Sequence, residues 1–423
     1  MTTEMRVGVV GAGVTGLSLT HYLAERGVES VAFEASDQPG GVIDSRVVDG
    51  RVVEAGPQRL RLTDSLADLV ETYGLRDQLR VADDDLPLYV YADGGLRVVP
   101  RSLSAFLRTD LLSWRAKGRL LAEPLTADAD PGESIASLCR RKFGDEVYEN
   151  LVHPILGGTF GSDPATMPTR HALSAALRME SAHGNLLVPV LKRVLFSKGE
   201  TPKPASFDGG LQALPRAIAD AHADRVALST PVAAVHPDDD GVLVETDAGT
   251  ERFDEVVLTT DARATADLLA SSAPDAAAAL RELTYNSLAL VYLDSDADAR
   301  GFGYQVRRTE PLHTLGVSWN ASLFDRDGLY TAFFGGMDDP EVLDRSDDDL
   351  GALAASEFET VMGADSEVLS VARLPGAFPA YDGTWAALDD LSLPENVHLA
   401  TNYTARMGIP ARVREASALA AQF

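Results

Sequence analysis

Residues 6–34 read RVGVVGAGVTGLSLTHYLAERGVESVAFE. Arg6 to Val10 is an apolar run of strand length, and GAGVTG follows it at once from Gly11. Gly11 permits a tight turn, Gly13 lets a pyrophosphate approach the backbone, and Gly16 lets the next helix pack on the sheet. The spacing predicts that helix from about Val14 to Arg26, with Val14 and Thr15 in its first turn, where free N–H groups face phosphates. Val28 to Phe33 reads as a second strand. Glu34 at its end, with Ala35 beside it, is placed to accept from ribose hydroxyls. Strand, glycine turn, helix, strand and acid in this order specify an α/β, Rossmann-like dinucleotide-binding unit.

A nicotinamide-binding chain usually runs on into another crossover helix. This one continues through Gly40-Gly41 and Arg46 to Glu54-Ala55-Gly56-Pro57. Glycine pairs also mark ordinary surface turns, so the order of these segments matters more than any one of them. The pattern resembles the flavoprotein amine oxidase superfamily. That resemblance implies FAD, with Gly40, Gly41 and the Gly56-Pro57 turn lying along its phosphate, ribityl chain and ring.

The 423 residues suffice for two or three domains. Sixty-four acidic residues against 37 lysines and arginines give a net charge of −27, and the only lysines are Lys117, Lys142, Lys192, Lys198 and Lys203. So acidic a surface argues against a nucleic-acid partner and suits a salt-rich, halophilic cytoplasm, where counterions screen self-repulsion. The acid runs Asp83-Asp84-Asp85, Asp238-Asp239-Asp240 and Asp347-Asp348-Asp349 read as solvated loops, with no histidine or cysteine at ligand spacing, so no metal is expected. Cys139, the single cysteine, reads as a core residue. No stretch has transmembrane length and the first strand begins without a signal peptide, so a cytoplasmic protein is expected, at most peripheral to a membrane.

Along the chain, cofactor and substrate segments alternate. Residues 1–85, 204–283 and 381–423 read as FAD-binding, 86–100 and 284–380 as a substrate domain, and 101–203 as a helical subdomain. Within these, Thr63 to Tyr73 reads as a helix ended by Gly74, and Leu88–Tyr91 with Leu96–Val99 as a hairpin. Leu103, Phe106, Leu107, Leu111 and Leu112 carry helical spacing, and helices are expected to about Ser197. HPILGGTFGSDPATM from His153 reads as a glycine-rich loop between them. A helix from Leu211 to Ala221 follows. Leu288–Leu293, Thr314–Ser318 and Leu329–Phe334 read as a sheet over the cofactor, and Leu350–Met362 as a helix.

HPILGGTFGSDPATM, Glu180 with His183-Gly184, SFDGGLQALP, GFGYQV, GVSWNASLFDRDG, FFGG and FPAYDGTW stand in one order along nearly the whole chain. Together they resemble the oxygen-dependent protoporphyrinogen oxidase family. The resemblance implies a two-lobed FAD-binding domain, a mixed-sheet substrate domain and a helical subdomain that can rest on a membrane. It further implies hydride transfer from a meso carbon of a porphyrinogen, a small-molecule tetrapyrrole, to non-covalent FAD, with O2 as acceptor and no obligatory catalytic side chain. By the same resemblance, Val232 meets the adenine, and Asn402, Met407, Gly408 and Ile409 hold the flavin. Gly157, Gly158 and Phe160 line the substrate pocket, and Phe324 and Phe334 stack on the macrocycle. Arg61, with Arg59, Arg97 and Arg101, is available for its carboxylate arms.

Two departures stand out. Leu86-Pro87 occupies the place of a basic residue found in many members, and Thr401, Arg406 and Ala411 alter the C-terminal flavin motif. Coproporphyrinogen III is therefore an alternative substrate. An amine oxidase or desaturase of the same superfamily is the next reading; the lack of lysine after Lys203 disfavours the first, and the lack of long apolar insertions the second. A flavin carrier without catalysis is the third. The sequence leaves a homodimer open.

Overall fold

In the computed structural model, which describes residues 5–83, 85–189, 202–404 and 407–423, Arg6–Val10 is the central strand of a five-stranded parallel sheet. Glu29–Phe33 and Glu255–Leu258 flank it, and Val226–Ala227 and Val397–Leu399 form the edges. Val7, Val9 and Val257 pack on one face under the helices Val14–Glu25 and Ile409–Ala420. The antiparallel strands Val232–Asp238, Gly241–Thr246 and Gly249–Phe253 cover the other face through Val235, Val244 and Phe253. Burial on both sides explains why the central strand is apolar throughout rather than alternating.

A second, seven-stranded sheet runs in the order Glu367–Pro379, Tyr285–Asp294, Leu329–Gly335, Gly316–Trp319, Gly303–Val306, Leu88–Ala92 and Gly95–Val98. Strand alternation divides its faces. Val291, Ala332 and Phe334 pack with Leu350 and Phe358 of the helix Asp347–Met362. Leu290, Tyr292 and Leu329 instead meet Val53 and Ala55, beside the hairpin Ser45–Val48 and Arg51–Glu54. The Tyr292 hydroxyl donates to the Glu54 carbonyl at 2.8 Å, fixing the sheet over the segment that leads to Gly56.

The helical part differs from the sequence reading in two places. The helix Leu103–Arg108 stops before Leu111 and Leu112, which are buried in coil beside Val90, while Leu103 and Leu107 are exposed. HPILGGTFGSDPATM is not one glycine loop: a π-helix, Tyr148–Gly157, runs directly into Gly158–Phe160, Gly161 turns with φ +54°, and a second turn follows at residues 164–166. Pro154 inside this segment removes a backbone donor, and the wider π turn accommodates it. The expectation of helix to Ser197 falls partly on residues 190–201, outside the described residues. Buried within the helices, Lys142 lies between Glu123, at 3.3 Å, and Glu180. Glu123 also accepts from the Leu186 and Leu187 N–H groups, so these charges are solvated by one another and by backbone.

No helix among the described residues is long and apolar enough to cross a membrane.

Candidate active site

Gly13 caps the helix Val14–Glu25 with extended backbone and no side-chain hydrogen bond, leaving its first N–H groups open. A Cβ on Gly16 would collide with the Gly11 carbonyl oxygen, and Gly41, at φ +61°, lies where a Cβ would come within 3.3 Å of the Gly13 Cα. The Gly40 N–H donates to the Ala12 carbonyl at 2.9 Å, so the two glycine segments form one cradle. A Cβ on Gly56 would strike the Val42 carbonyl oxygen, which holds the Gly56-Pro57 turn against the same strand of chain.

Beyond the cradle opens a cavity of about 300 Å³ lined by Gly11, Glu34, Ala35, Val232 and Asp267. Glu34 is not idle in it. Its Oε2 accepts from the Ala12 N–H at 2.8 Å and its Oε1 from the Ser36 N–H and hydroxyl, so the carboxylate also organises the glycine turn. An uncapped helix end, a glycine cradle and a fixed carboxylate suit the pyrophosphate and ribose of a dinucleotide. Gly408, at φ +108°, begins the helix Ile409–Ala420, whose Ile409 packs with Ala12, Val14 and Leu17. Asn402 and Met407 are half-buried on either side of residues 405 and 406, so Arg406 lies outside the described residues. Arg46 is exposed and pairs with Asp44 at 2.7 Å. His398, the histidine nearest this end, is held by Glu255 at 2.8 Å and by the edge of Phe423.

The expected aromatic wall requires correction. Phe334 is fully buried against the helix Asp347–Met362, on the face away from the cofactor cradle, and stacks on nothing outside the core. Its neighbour Phe333, half-buried, takes the opposite face with Leu290 and Tyr292. Phe324 is 5% exposed and packs with Leu86 and Phe302 in a small cluster, beneath the Arg326 guanidinium. Phe160 is tilted on Tyr381, centroids 4.9 Å apart, and its carbonyl accepts from Asn286 at 3.0 Å. Gly157 and Gly158 are helical. What Gly158 makes room for is the Gln305 side chain, whose Oε1 is buried without a hydrogen-bond partner.

Of four arginines singled out in the sequence, the structure gathers three. Arg59, Arg61 and Arg101 place their guanidinium carbons 5.7, 5.9 and 6.0 Å from the Phe302 ring centroid. Arg59 also donates to the Ser318 hydroxyl at 3.3 Å, and Arg101 to the Leu86 carbonyl at 3.2 Å. Burial, and then the charge of Arg61, pull the Arg59 guanidinium down to about 10. Arg97 stands apart, paired with Asp110 across the hairpin. Arg101 thus places a cation beside Leu86, where the sequence itself carries none.

The sequence reading missed three polar contacts that join the layers. Glu54 and Arg326 form a buried ion pair. Gln58 meets Asn320 at 3.4 Å, and Asn320 donates to Thr331 at 2.9 Å. Arg412, 5% exposed, donates to the Thr401 carbonyl and pairs with Glu415, while its Nε and one terminal nitrogen have no partner. Nothing local in the sequence marks Glu54 or Gln58, whose partners lie far along the chain, whereas Arg412–Glu415 is an i,i+3 pair of the last helix whose burial only the fold reveals.

The chain matches the family of flavin containing amine oxidoreductases over residues 14–416. Protoporphyrinogen oxidase 1 of Spinacia oleracea is 27% identical over 90% of this chain and 77% of its own length. Coproporphyrinogen III oxidase of Staphylococcus aureus is 25% identical over 89% and 88%. A protein of Exiguobacterium sp. 255-15, provisionally named a protoporphyrinogen oxidase, shares the fold with TM-score 0.80 at 23% identity, over 100% of this chain and 99% of that one. With the glycine cradle, Glu34 and the helix ends where such a cofactor requires them, the chain belongs to the flavin containing amine oxidoreductase family and is an FAD-dependent oxidoreductase.

Proposed function

We propose that the protein oxidises a porphyrinogen to the porphyrin with O2 as acceptor, protoporphyrinogen IX being the first substrate to test. When bound, FAD supplies the hydride acceptor. Residues 1–85, 204–283 and 381–423 hold it without a covalent bond in this reading, and the sheet of 86–100 and 284–380 presents the substrate. Gly11, Gly13, Gly16, Gly40, Gly41 and Glu34 bind its phosphates and ribose, and Val232 its adenine. Asn402, Met407, Gly408 and Ile409 flank the ring.

The observation that carries the substrate reading is the buried, partnerless Gln305 Oε1 beside Gly158. An acceptor in that state gains a hydrogen bond from a pyrrole N–H and loses nothing to make it. Phe333, on the same face of the sheet, offers an aromatic surface to the macrocycle, in place of the Phe334 expected from the sequence. Arg59, Arg61 and Arg101 hold carboxylate arms, bidentate pairing being the geometry that guanidinium groups favour. Three clustered cations also favour coproporphyrinogen III, which has more carboxylates, as the second reading.

The test is anaerobic bleaching of the flavin by protoporphyrinogen, coproporphyrinogen and simple amines. Bleaching by a porphyrinogen and a higher KM in Gln305→Leu are expected. Bleaching by amines alone overturns the proposal.

A further inference from the structure

We propose that His153, Asp163 and Asp338 form a site for one divalent first-row metal ion, with zinc the ion it fits best. One ligand atom from each lies within 4.8 Å of the others, at the junction of the π-helix, the turn after Gly161 and the end of the strand Leu329–Gly335. The site stands independently of the substrate reading.

The decisive observation is the state of His153. It is 3% exposed, and neither ring nitrogen has a hydrogen-bond partner. Its Nε2 faces Asp338 Oδ2 at 3.4 Å, too far for a good hydrogen bond. A buried imidazole is ordinarily satisfied, and one that is not calls for an ion or ligand. The carboxylates are similarly spare. Asp163 Oδ1 accepts from the Ala165 N–H at 2.8 Å, which fixes the side chain and leaves Oδ2 with only a long 3.3 Å contact from the Arg308 guanidinium. Asp338 Oδ1 has no hydrogen bond at all.

One cation already stands at the entrance. Arg308 reaches Asp163 Oδ2 and Asp338 Oδ1, both at 3.3 Å, from a side chain that is half exposed. Such long, solvated contacts hold it weakly, so a metal ion can displace it. His153, Arg308 and Asp338 also line a cavity of about 460 Å³ together with Gly158, His313 and Asp339, which gives an entry path and room for a water ligand.

The donor chemistry selects the ion. One imidazole nitrogen and two carboxylate oxygens form a mixed set that suits zinc, cobalt or manganese and leaves a fourth position open. Magnesium and calcium favour all-oxygen sites. Drawing the three donors onto zinc needs ligand separations near 3.4 Å, roughly 2.1 Å bonds in a tetrahedron, which side-chain rotation from the present spacing can reach. Bound there, the ion would clamp the π-helix to the sheet edge.

The experiment uses the FAD-loaded protein, stripped with a chelator and titrated with Zn2+ and with Co2+ as a spectroscopic probe. One equivalent should bind, raise Tm and, for Co2+, give tetrahedral ligand-field bands. His153→Gln and Asp338→Asn should weaken binding about tenfold or more, with the flavin spectrum unchanged. Arg308→Gln should tighten it, because a competing charge is gone. If a ligand variant loses FAD, Arg308→Gln decides alone. Zn2+ binding that is absent, equal in the ligand variants, or not tightened by Arg308→Gln overturns the proposal.

Discussion

Glu54 and Arg326 meet at 3.0 Å although 272 residues separate them, with side-chain exposures of 1% and 10%. Glu54 ends the hairpin that leads to the Gly56-Pro57 turn, and Arg326 follows Phe324 in the connection between the strands Gly316–Trp319 and Leu329–Gly335 of the seven-stranded sheet. The same carboxylate accepts from Ser45 at 2.6 Å and the Leu211 N–H at 3.0 Å, so three distant segments converge on one buried charge.

Removing one member of that pair leaves the other uncompensated. Arg326→Leu should destabilise the protein by about 3–5 kcal/mol, read from urea unfolding of the FAD-loaded form. A change under roughly 1 kcal/mol would mean that the pair is worth no more than a surface salt bridge.

Glu34→Ala should weaken FAD binding by about 1.5–3 kcal/mol, the worth of hydrogen bonds to a charged group. It also removes the acceptor for the Ala12 and Ser36 N–H groups, so the glycine turn itself should loosen. Fluorescence titration of the apoprotein measures the loss. An unchanged affinity would take Glu34 out of the site.

The two adjacent phenylalanines should behave oppositely. Phe334→Ala opens a cavity beneath the helix Asp347–Met362 and should lower stability by about 3–5 kcal/mol. Phe333→Ala should leave stability closer to the parent and raise KM for the porphyrinogen up to roughly tenfold, the scale of an aromatic contact worth about 0.5–1.5 kcal/mol. The reverse pattern would restore Phe334 as the wall.

The Tyr73 hydroxyl bridges His21 Nδ1 at 2.7 Å and His222 Nε2 at 2.9 Å. Burial, as the largest cause, holds both histidines below their ordinary 6.5. The folded state therefore binds fewer protons than the unfolded chain below that pH, and stability, complete above it, falls as the solution is acidified through the depressed values. Melting should drop between about pH 7 and pH 5, and less steeply in His222→Gln, which cannot charge. Parallel profiles in the two proteins would remove His222 as a contributor.

Salt should stabilise. With a net charge of −27, raising KCl toward about 1 M shortens screening to roughly 3 Å and quiets the repulsion. Thermal melts across a KCl series report it. A flat or falling curve would detach the acidity from salt.

The glycine cradle was legible because its chemistry is local: turn, helix start and acid lie within 34 residues. Which of Phe333 and Phe334 faces the cradle side of the sheet was not. Phe333 and Phe334 are both apolar on a strand buried on both faces, so no alternation tells which side looks at the cofactor, and a one-residue error exchanges the faces. The strand Glu367–Pro379 escaped notice for a related reason. Pro375 and Gly376 interrupt it, which an edge strand tolerates and a central one does not. Among the arginines, sequence supplied the charges, but only the fold separates the three around Phe302 from Arg97, which the Gly95–Val98 hairpin strand turns toward Asp110.

The order of strands in the parallel sheet also sets a timetable. Its second edge, Val397–Leu399, pairs with Glu255–Leu258, and the second of the two helices that cover Val7 and Val9 comes later still, at Ile409–Ala420. A chain emerging from the ribosome therefore carries its glycine cradle long before the helix Ile409–Ala420, which packs on Ala12 and Val14, exists. FAD capture in the finished form belongs after translation, and until then the exposed face of Arg6–Val10 is a surface for chaperones to shield.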